Sequence, residues 1–167
     1  MAEISYKKVA LGGTFDHFHD GHKSLLRKAA EVTSGELIVG VTGAELLNNK
    51  KYAELIQPFD VRAKSAKDYL QSLKDSVHYR IVELHEPNGP TTEEEDVEAI
   101  VVTSETRKGG ESINQIRQSK GWRALDIVEA AIVENQADLK WAIMDWCAIE
   151  HRQSQRLQTK FNFIERT

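Results

Sequence analysis

Residues 7–41 decide the fold, and they read KKVALGGTFDHFHDGHKSLLRKAAEVTSGELIVGV. The apolar run in residues 7–11 stops at two glycines and predicts a buried strand. From His22 the apolar residues recur near the helical period of 3.6, and the Thr-Ser-Gly sequence at 33–35 predicts the end of that helix. The apolar run 37–41 predicts a second buried strand. The stretch is therefore typical of a βαβ unit, whose two strands are parallel.

The rest of the chain continues the alternation of strands and helices. In the helix that begins near Pro58, Val61, Ala66 and Leu70 are expected to face the core. This alternation predicts a Rossmann-like, doubly wound α/β fold, with a parallel five-stranded sheet and helices on both faces. Strands are predicted over 78–84, 99–102 and 125–133, and helices over 44–47, 58–74, 104–120 and from 137 onward.

Length and composition limit the function classes. The 167 residues suit one domain, 1–167, with the sheet and its site in 7–133 and a helical C-terminal segment in 137–167. A single cysteine, Cys147, excludes an intrachain disulfide and a cysteine-rich zinc site. The net charge of −4 gives no support to nucleic-acid binding. Neither a membrane-spanning run nor a signal peptide is evident, so we expect a cytoplasmic protein without a membrane role.

Chemistry-bearing residues are concentrated between the first strand and the first helix. Ligands of open α/β sheets bind at the carboxyl ends of the strands, where this segment lies. Gly12 and Gly13 permit close approach of a ligand to the backbone, and the helix N-terminus attracts phosphate. His19 and His22, three residues apart, can direct two imidazoles at one anion. The segment predicts a phosphate site; a zinc site and a turn of solvent-exposed histidines are the alternatives.

Four motifs in order then point to a family. The sequence His-Asp-Gly-His at 19–22, preceded by Gly-Thr-Phe-Asp at 13–16, resembles the His-x-Gly-His signature of the nucleotidylyltransferase superfamily. Residues 7–133 as a whole resemble phosphopantetheine adenylyltransferases of the eukaryotic and archaeal type, including the plant-like form. The other motifs that carry this resemblance are Lys50 with Gln57-Pro58-Phe59 and Arg62, Glu-Pro-Asn-Gly-Pro at 86–90, and residues 101–106 followed by Gly109-Gly110 and Ile113-Asn114.

The resemblance implies an enzyme, a reaction and a set of site residues. Such a nucleotidyltransferase moves AMP from ATP to 4′-phosphopantetheine and yields dephospho-coenzyme A and pyrophosphate, in coenzyme A biosynthesis. Mg²⁺ would arrive with ATP, without a dedicated protein metal site, and the oligomeric state is left open. The resemblance assigns catalysis to His22, Lys50, His19 and Thr14; ATP binding to Gly13, Phe15, His19, His22, Ser104, Glu105, Thr106 and Arg107; and phosphopantetheine binding to Thr14, Lys50 and Arg62.

One motif of the family is missing. A Ser-Ser-Thr/Ser-x-x-Arg string, which binds the triphosphate in the family, is expected near the C-terminus. After Val133 the only serine is Ser154, and Arg152 and Arg156 are displaced along the chain. Each lost phosphate donor removes about 2.7–4 kcal/mol if it behaves like an oxyanion-hole group. Two alternatives to the full activity therefore stay open: a weakly active or non-catalytic nucleotide-binding relative, and a nucleotidylyltransferase with another acceptor.

Overall fold

A computed structural model of the protein describes residues 4–47 and 53–131. Its centre is a five-stranded parallel sheet with the strand order β3-β2-β1-β4-β5. The strands are β1 (Tyr6–Gly13), β2 (Thr33–Thr42), β3 (His78–Leu84), β4 (Ala99–Val102) and β5 (Asp126–Glu129). The α-helices are α1 (Asp20–Glu31), α2 (Ala44–Leu47), α3 (Phe59–Gln71) and α4 (Arg107–Ser119), and short 3-10 turns occupy Ala53–Leu55 and Gly89–Thr92.

Apolar side chains alternate between the two faces of the sheet, and each face is buried by helices. On the first face α1 and α3 cover Val9, Val39 and Val101, with Leu26 and Leu70 among the helical contributors. On the second face the core contains Ala10, Ile38, Ile100 and Val102, and it includes Ile113 of α4. Burial on both faces explains why the strands read as continuous apolar runs. The predicted doubly wound parallel sheet of five strands is thus confirmed.

Three local expectations differ from the structure. Helix α1 begins at Asp20, two residues before the first residue of the apolar pattern, because His19 provides its N-cap. Strand β2 already begins at Thr33, whose buried hydroxyl donates to the Ala29 carbonyl at 2.6 Å, so the polar residues 33–35 belong to the strand. Val61 was expected inward but is 44% exposed on the first turn of α3.

The predicted last strand is also shorter than expected. Strand β5 ends at Glu129, and residues 130 and 131 are described but lie outside it. Lys50 and the C-terminal segment 137–167 lie outside the described residues, so their predicted places are not tested. Within the described ranges no helix is long and apolar enough to cross a membrane.

One buried arginine organises the long connection between β3 and β4. Arg117 of α4 is fully buried, and its guanidinium donates five hydrogen bonds to main-chain carbonyls. Four of these carbonyls belong to the connection itself, which places this stretch against α4. The acceptors are Arg123 (2.8 Å), Thr91 (2.8 Å), Glu94 (3.0 Å), Glu95 (2.8 Å) and Val97 (3.3 Å).

Candidate active site

The candidate site lies where the strand order reverses. Strands β1 and β4 are neighbours in the sheet, with Val9 opposite Ala99 and Ala10 opposite Ile100. From their carboxyl ends the chain leaves in opposite directions, through α1 toward β2 and through α4 toward β5. A crevice at such a switch point is where open α/β sheets bind ligands. The predicted site residues of both segments therefore converge on one edge of the sheet.

The two histidines form a stacked pair at the N-terminus of α1. Their ring centroids are 3.9 Å apart and the ring planes differ by 27°. Nδ1 of His19 accepts the N–H of Gly21 at 3.1 Å, and Nδ1 of His22 accepts the N–H of His19 at 3.3 Å. In the neutral form each ring therefore carries its proton on Nε2. The capping contacts thus orient two imidazole donors at a helix terminus that itself favours anions.

Aromatic rings hold His22 in place. His22 is buried, with its ring 5.4 Å from the Phe15 ring and 5.5 Å from the Phe18 ring, measured between centroids. The Phe15 side chain belongs to the core, and a Cβ on Gly13 would come within 3.1 Å of it. The absence of a side chain at Gly13 therefore leaves room for the Phe15 ring beside it. The imidazole of His22 is positioned by both packing and hydrogen bonding.

The turn that precedes α1 has an unusual backbone. Phe15 has a φ of 52° and His17 a φ of 45°, and neither residue is a glycine. A non-glycine residue in the left-handed region costs about 1–3 kcal/mol and persists only where its surroundings over-determine it. Such residues concentrate at functional sites. The surroundings that hold this turn come from the segment leading into α3.

Hydrogen bonds join the turn to that segment at three residues, Thr14, Asp16 and His17. The Asp16 carboxylate is buried; its Oδ1 accepts the Gln57 N–H at 2.9 Å, and its Oδ2 lies 2.8 Å from Nδ1 of His17. The His17 N–H donates to Oε1 of Gln57 at 3.0 Å. The Thr14 carbonyl accepts Nη1 of Arg62 at 3.0 Å. These contacts fix the turn before, between and at its two left-handed residues.

Arg62 is a buried cation behind this turn. It is 2% exposed and also donates to the Gln57 carbonyl at 2.8 Å and to the Thr42 hydroxyl at 3.4 Å. Burial lowers the pKa of its guanidinium from the ordinary value, and the Asp16 and Glu83 carboxylates act in the opposite direction. Arginine stays protonated in proteins. Arg62 therefore ties the turn after β1, strand β2 and the segment before α3 together and adds a buried positive charge next to that turn.

The other half of the site follows β4. Thr106 is the N-cap of α4, but its hydroxyl accepts the Thr103 N–H at 2.9 Å and makes no hydrogen bond to the helix. Ser104 and Glu105 are exposed in the same turn. Arg107 is also exposed and pairs with Glu129 at 3.2 Å and with Glu111 at 3.6 Å. The α4 terminus and these polar side chains line the β4 side of the crevice.

Most of the predicted site residues meet at this edge of the sheet. Gly13, Thr14, Phe15, His19 and His22 surround the start of α1, and Ser104–Arg107 lie across the switch point. Gln57 was named only as part of the motif at 57–59, and its contacts with Asp16 and His17 were missed, because a glutamine before a proline gives no chemical signal of its own. Among the described side chains, no group of three or more His, Cys, Asp or Glu residues could hold a metal ion.

Comparisons with known proteins identify a family. Residues 10–160 match the cytidylyltransferase-like family. The chain is 41% identical over 134 residues to a phosphopantetheine adenylyltransferase of Saccharomyces cerevisiae, covering 80% of this chain and 44% of the relative. It is 43% identical over 136 residues to the phosphopantetheine adenylyltransferase of Pyrococcus furiosus, covering 81% of this chain and 83% of the relative. It thus spans less than half the length of the yeast relative.

Solved structures also match this chain. A protein with unknown function from Archaeoglobus fulgidus superposes with a TM-score of 0.66 at 34% identity, covering 75% of this chain and 90% of that one. A lipopolysaccharide core biosynthesis protein from Thermoplasma volcanium, 22% identical with a TM-score of 0.57, covers 76% of this chain and 98% of its own and shows the fold alone. From the matched family domain and the archaeal relative, the chain belongs to the cytidylyltransferase-like family and, within it, to the phosphopantetheine adenylyltransferases.

Proposed function

We propose that the protein is a nucleotidyltransferase that moves AMP from ATP to 4′-phosphopantetheine, yielding dephospho-coenzyme A and pyrophosphate. The observation that carries this proposal is the stacked His19–His22 pair at the N-terminus of α1, at the switch point of the sheet. Relatives about 40% identical over four fifths of the chain bear the name of this activity. The protein therefore acts in coenzyme A biosynthesis.

The reaction needs positioning and charge neutralisation more than proton transfer. A phosphate oxygen of 4′-phosphopantetheine attacks the α-phosphorus of ATP, a new P–O bond forms, and the bond to the β-phosphate oxygen breaks. The nucleophile is an anion near neutral pH, so no covalent enzyme intermediate is required. The protein must hold two anions close together and stabilise the charge that develops between them. Backbone N–H groups, imidazole donors and a buried arginine are suited to that task.

The residues of the α1 side take the phosphates. His22 donates to the α-phosphate, and His19 helps to hold the triphosphate. Thr14 hydrogen-bonds the attacking phosphate through its hydroxyl, and Lys50 places a cation between the attacking and α-phosphates. Arg62 acts on the second substrate from a buried position, through the turn that it holds and through its charge. The backbone of Gly13 and Phe15 lines the nucleotide pocket, because the Phe15 ring itself is in the core.

The residues that follow β4 take the nucleotide. Ser104, Glu105 and Thr106 contact the adenosine moiety, and Arg107 can reach the phosphates only by leaving its ion pairs with Glu111 and Glu129. The uncapped N–H groups at the start of α4 offer a further set of donors. A nucleotide bound across the switch point would thus contact both helix termini.

Mg²⁺ is proposed to accompany ATP. Mg²⁺ prefers oxygen ligands and is often held by substrate phosphates and water, with one or two carboxylates at most. The buried carboxylate of Asp16, in the turn before the histidines, already accepts the Gln57 N–H and contacts His17. It is therefore a poor ligand for an ion, and no step is assigned to a protein-bound metal. A cytoplasmic location is part of this proposal.

A second candidate function is a nucleotide-binding relative with weak or no turnover. The sequence favours it at one point, since the Ser-Ser-Thr/Ser-x-x-Arg string is missing after Val133. The two candidates differ in chemistry but share ATP binding. A transferase using another phosphorylated acceptor is the remaining alternative.

One assay separates these functions. The full chain is incubated with ATP, Mg²⁺ and 4′-phosphopantetheine, and pyrophosphate release is measured along with ATP binding by calorimetry. Release that depends on 4′-phosphopantetheine supports the proposal. ATP binding without release favours the non-catalytic relative, and release only with another phosphorylated acceptor favours a different transferase.

A further inference from the structure

Gln57 connects the strained turn to helix α3 through three contacts. Its N–H donates to Oδ1 of Asp16, and its carbonyl accepts Nε of Arg62. Both of these contacts use the main chain, so most residue types could provide them. The third contact uses the side chain, whose Oε1 accepts the His17 N–H at 3.0 Å. Only this contact depends on the identity of residue 57.

The position of the accepted N–H gives this contact its importance. His17 has a φ of 45° and lies two residues before His19, the N-cap of α1. Without the Gln57 side chain, water can accept the His17 N–H but cannot tie it to the segment before α3, so His17 could relax toward an extended or right-handed backbone, which a non-glycine residue prefers. Such a change would rotate the entry into α1. The His19 and His22 rings take their orientation from backbone N–H groups at that entry, so they would move with it.

We propose that the Gln57 side chain is a positioning residue for phosphate binding: by accepting the His17 N–H, it holds the turn so that the imidazoles of His19 and His22 face the phosphates. It acts through the turn and does not itself touch substrate. The kinetic part of this inference rests on the proposed function, whereas the part that concerns ATP binding does not.

A merely structural role would have a different signature. The contact between Gln57 and His17 is solvent-exposed, and water can replace its acceptor at little cost in stability. A small displacement of a phosphate-holding group, however, reduces turnover strongly because the site depends on pre-set geometry. A positioning role therefore predicts a large loss of turnover and ATP affinity with little change in thermal stability.

Two isosteric replacements test whether turnover and ATP affinity are lost while thermal stability is kept. Gln57→Met keeps the side-chain length but removes the acceptor, whereas Gln57→Glu keeps an acceptor oxygen. Gln71→Ala, at the exposed last residue of α3, is the matched control. We expect Gln57→Met to lower kcat about tenfold and to weaken ATP binding by a similar factor. Gln57→Glu should keep kcat within about threefold, and the melting temperature of each variant should stay within about 3 °C of the parent.

Other results of the same measurements would contradict the proposal. Turnover and ATP affinity of Gln57→Met at the level of the unmodified chain would overturn the proposal, as would equal losses in Gln57→Met and Gln57→Glu. If the unmodified chain releases no pyrophosphate, the proposed function fails but this inference is still decided by ATP affinity. Weaker binding in Gln57→Met alone then supports it, and equal binding in all the variants refutes it.

Discussion

Two buried arginines stabilise opposite parts of this molecule. Arg62 is 2% exposed behind the carboxyl edge of the sheet, and Arg117 is fully buried under the β3–β4 connection. Burial lowers the pKa of both guanidinium groups from the ordinary value. Arg117 donates five hydrogen bonds, all to carbonyls, which matches the five N–H groups of an arginine. Arg62 donates three within the described residues, to the Gln57 and Thr14 carbonyls and the Thr42 hydroxyl.

The difference shows how one residue type serves packing in one place and a site in another. Around Arg117 the carbonyl acceptors satisfy the guanidinium, and Glu95 and Asp96 offset its charge. Its contribution is therefore to the arrangement of the connection. Around Arg62 one acceptor, the Thr14 carbonyl, belongs to the turn that precedes His19 and His22, so the same kind of anchoring is expected to affect the geometry of the proposed site. Variants at the two sites should consequently separate stability from activity.

Replacing a histidine at the carboxyl edge should have the largest effect and should act on activity. His22→Ala removes an imidazole donor from the phosphate site, and kcat for pyrophosphate release is expected to fall by about 10²–10³-fold. The lost packing against Phe15 and Phe18 should cost no more than about 2 kcal/mol of unfolding free energy. His78→Ala, at an exposed position on β3, is the control and should retain kcat. Turnover that persists in His22→Ala would place the phosphate site elsewhere.

Replacing the buried Arg117 should lower stability and leave activity unchanged, which is the reverse of the effect expected for His22→Ala. Arg117→Met leaves five carbonyls without their donor, two of them in buried hydrogen bonds, and is expected to lower the unfolding free energy by about 3 kcal/mol. Urea denaturation measures this loss, and Arg123→Met at an exposed position is the control. The folded fraction should retain its kcat, since Arg117 does not touch the turn. A loss of kcat in fully folded Arg117→Met would show that the two regions are coupled.

The fold could be predicted from the sequence because its signals are local. Apolar runs, glycine stops and helical periodicity located all five strands and the main helices to within a few residues. Errors arose where the apolar pattern did not match burial or where a capping side chain set the end of a helix. Val61 fits the apolar pattern of α3 but lies outside the core, and His19 begins α1 earlier than periodicity indicates.

The site could be predicted only in part. The histidine spacing and the glycines identified the turn before α1, because those residues are adjacent in sequence. The contacts that hold the turn join residues about 40 positions apart, such as His17 with Gln57. No spacing in the sequence reports that pairing. Nor could the burial of Arg62 be predicted, since arginine on a helix is usually a surface residue.

A conservative change at Arg62 should lower both activity and stability. Each loss should be smaller than the loss of activity in His22→Ala or the loss of stability in Arg117→Met. Arg62→Lys keeps the charge, but an ammonium group cannot bridge the Thr14 and Gln57 carbonyls as a planar guanidinium does. We expect kcat/KM to fall about tenfold and the unfolding free energy to fall by about 1–2 kcal/mol. Lys64→Met, on the exposed face of the same helix, is the control. If kcat/KM is unaltered in Arg62→Lys, Arg62 contributes only its positive charge to the site.

The smallest expected effect is a pH dependence of stability. It concerns the ion pair between β1 and the connection that joins β3 to β4. Nζ of Lys8 donates to Asp96 at 2.9 Å, and this hydrogen bond lowers the pKa of the Asp96 carboxyl from its ordinary value. A depressed folded-state pKa stabilises the protein above the unfolded-state value of about 3.9, and the contribution is lost as pH falls through the folded-state value. Because Asp96 is largely exposed, the pair should contribute less than about 1 kcal/mol.

Lys8→Met tests this pair by urea denaturation between pH 7 and pH 3. The variant should be slightly less stable than the parent chain at neutral pH, and the difference should narrow below about pH 4, where Asp96 becomes protonated in the unfolded chain and then in the folded one. Glu94 and Glu36 also face Lys8, at 3.5 and 3.8 Å, so Lys8→Met removes these ion pairs as well. A difference that widens on acidification would mean that Asp96 is not stabilised by Lys8. Turnover at neutral pH should be the same in both proteins, because this cluster lies at the amino-terminal part of β1, away from the histidines.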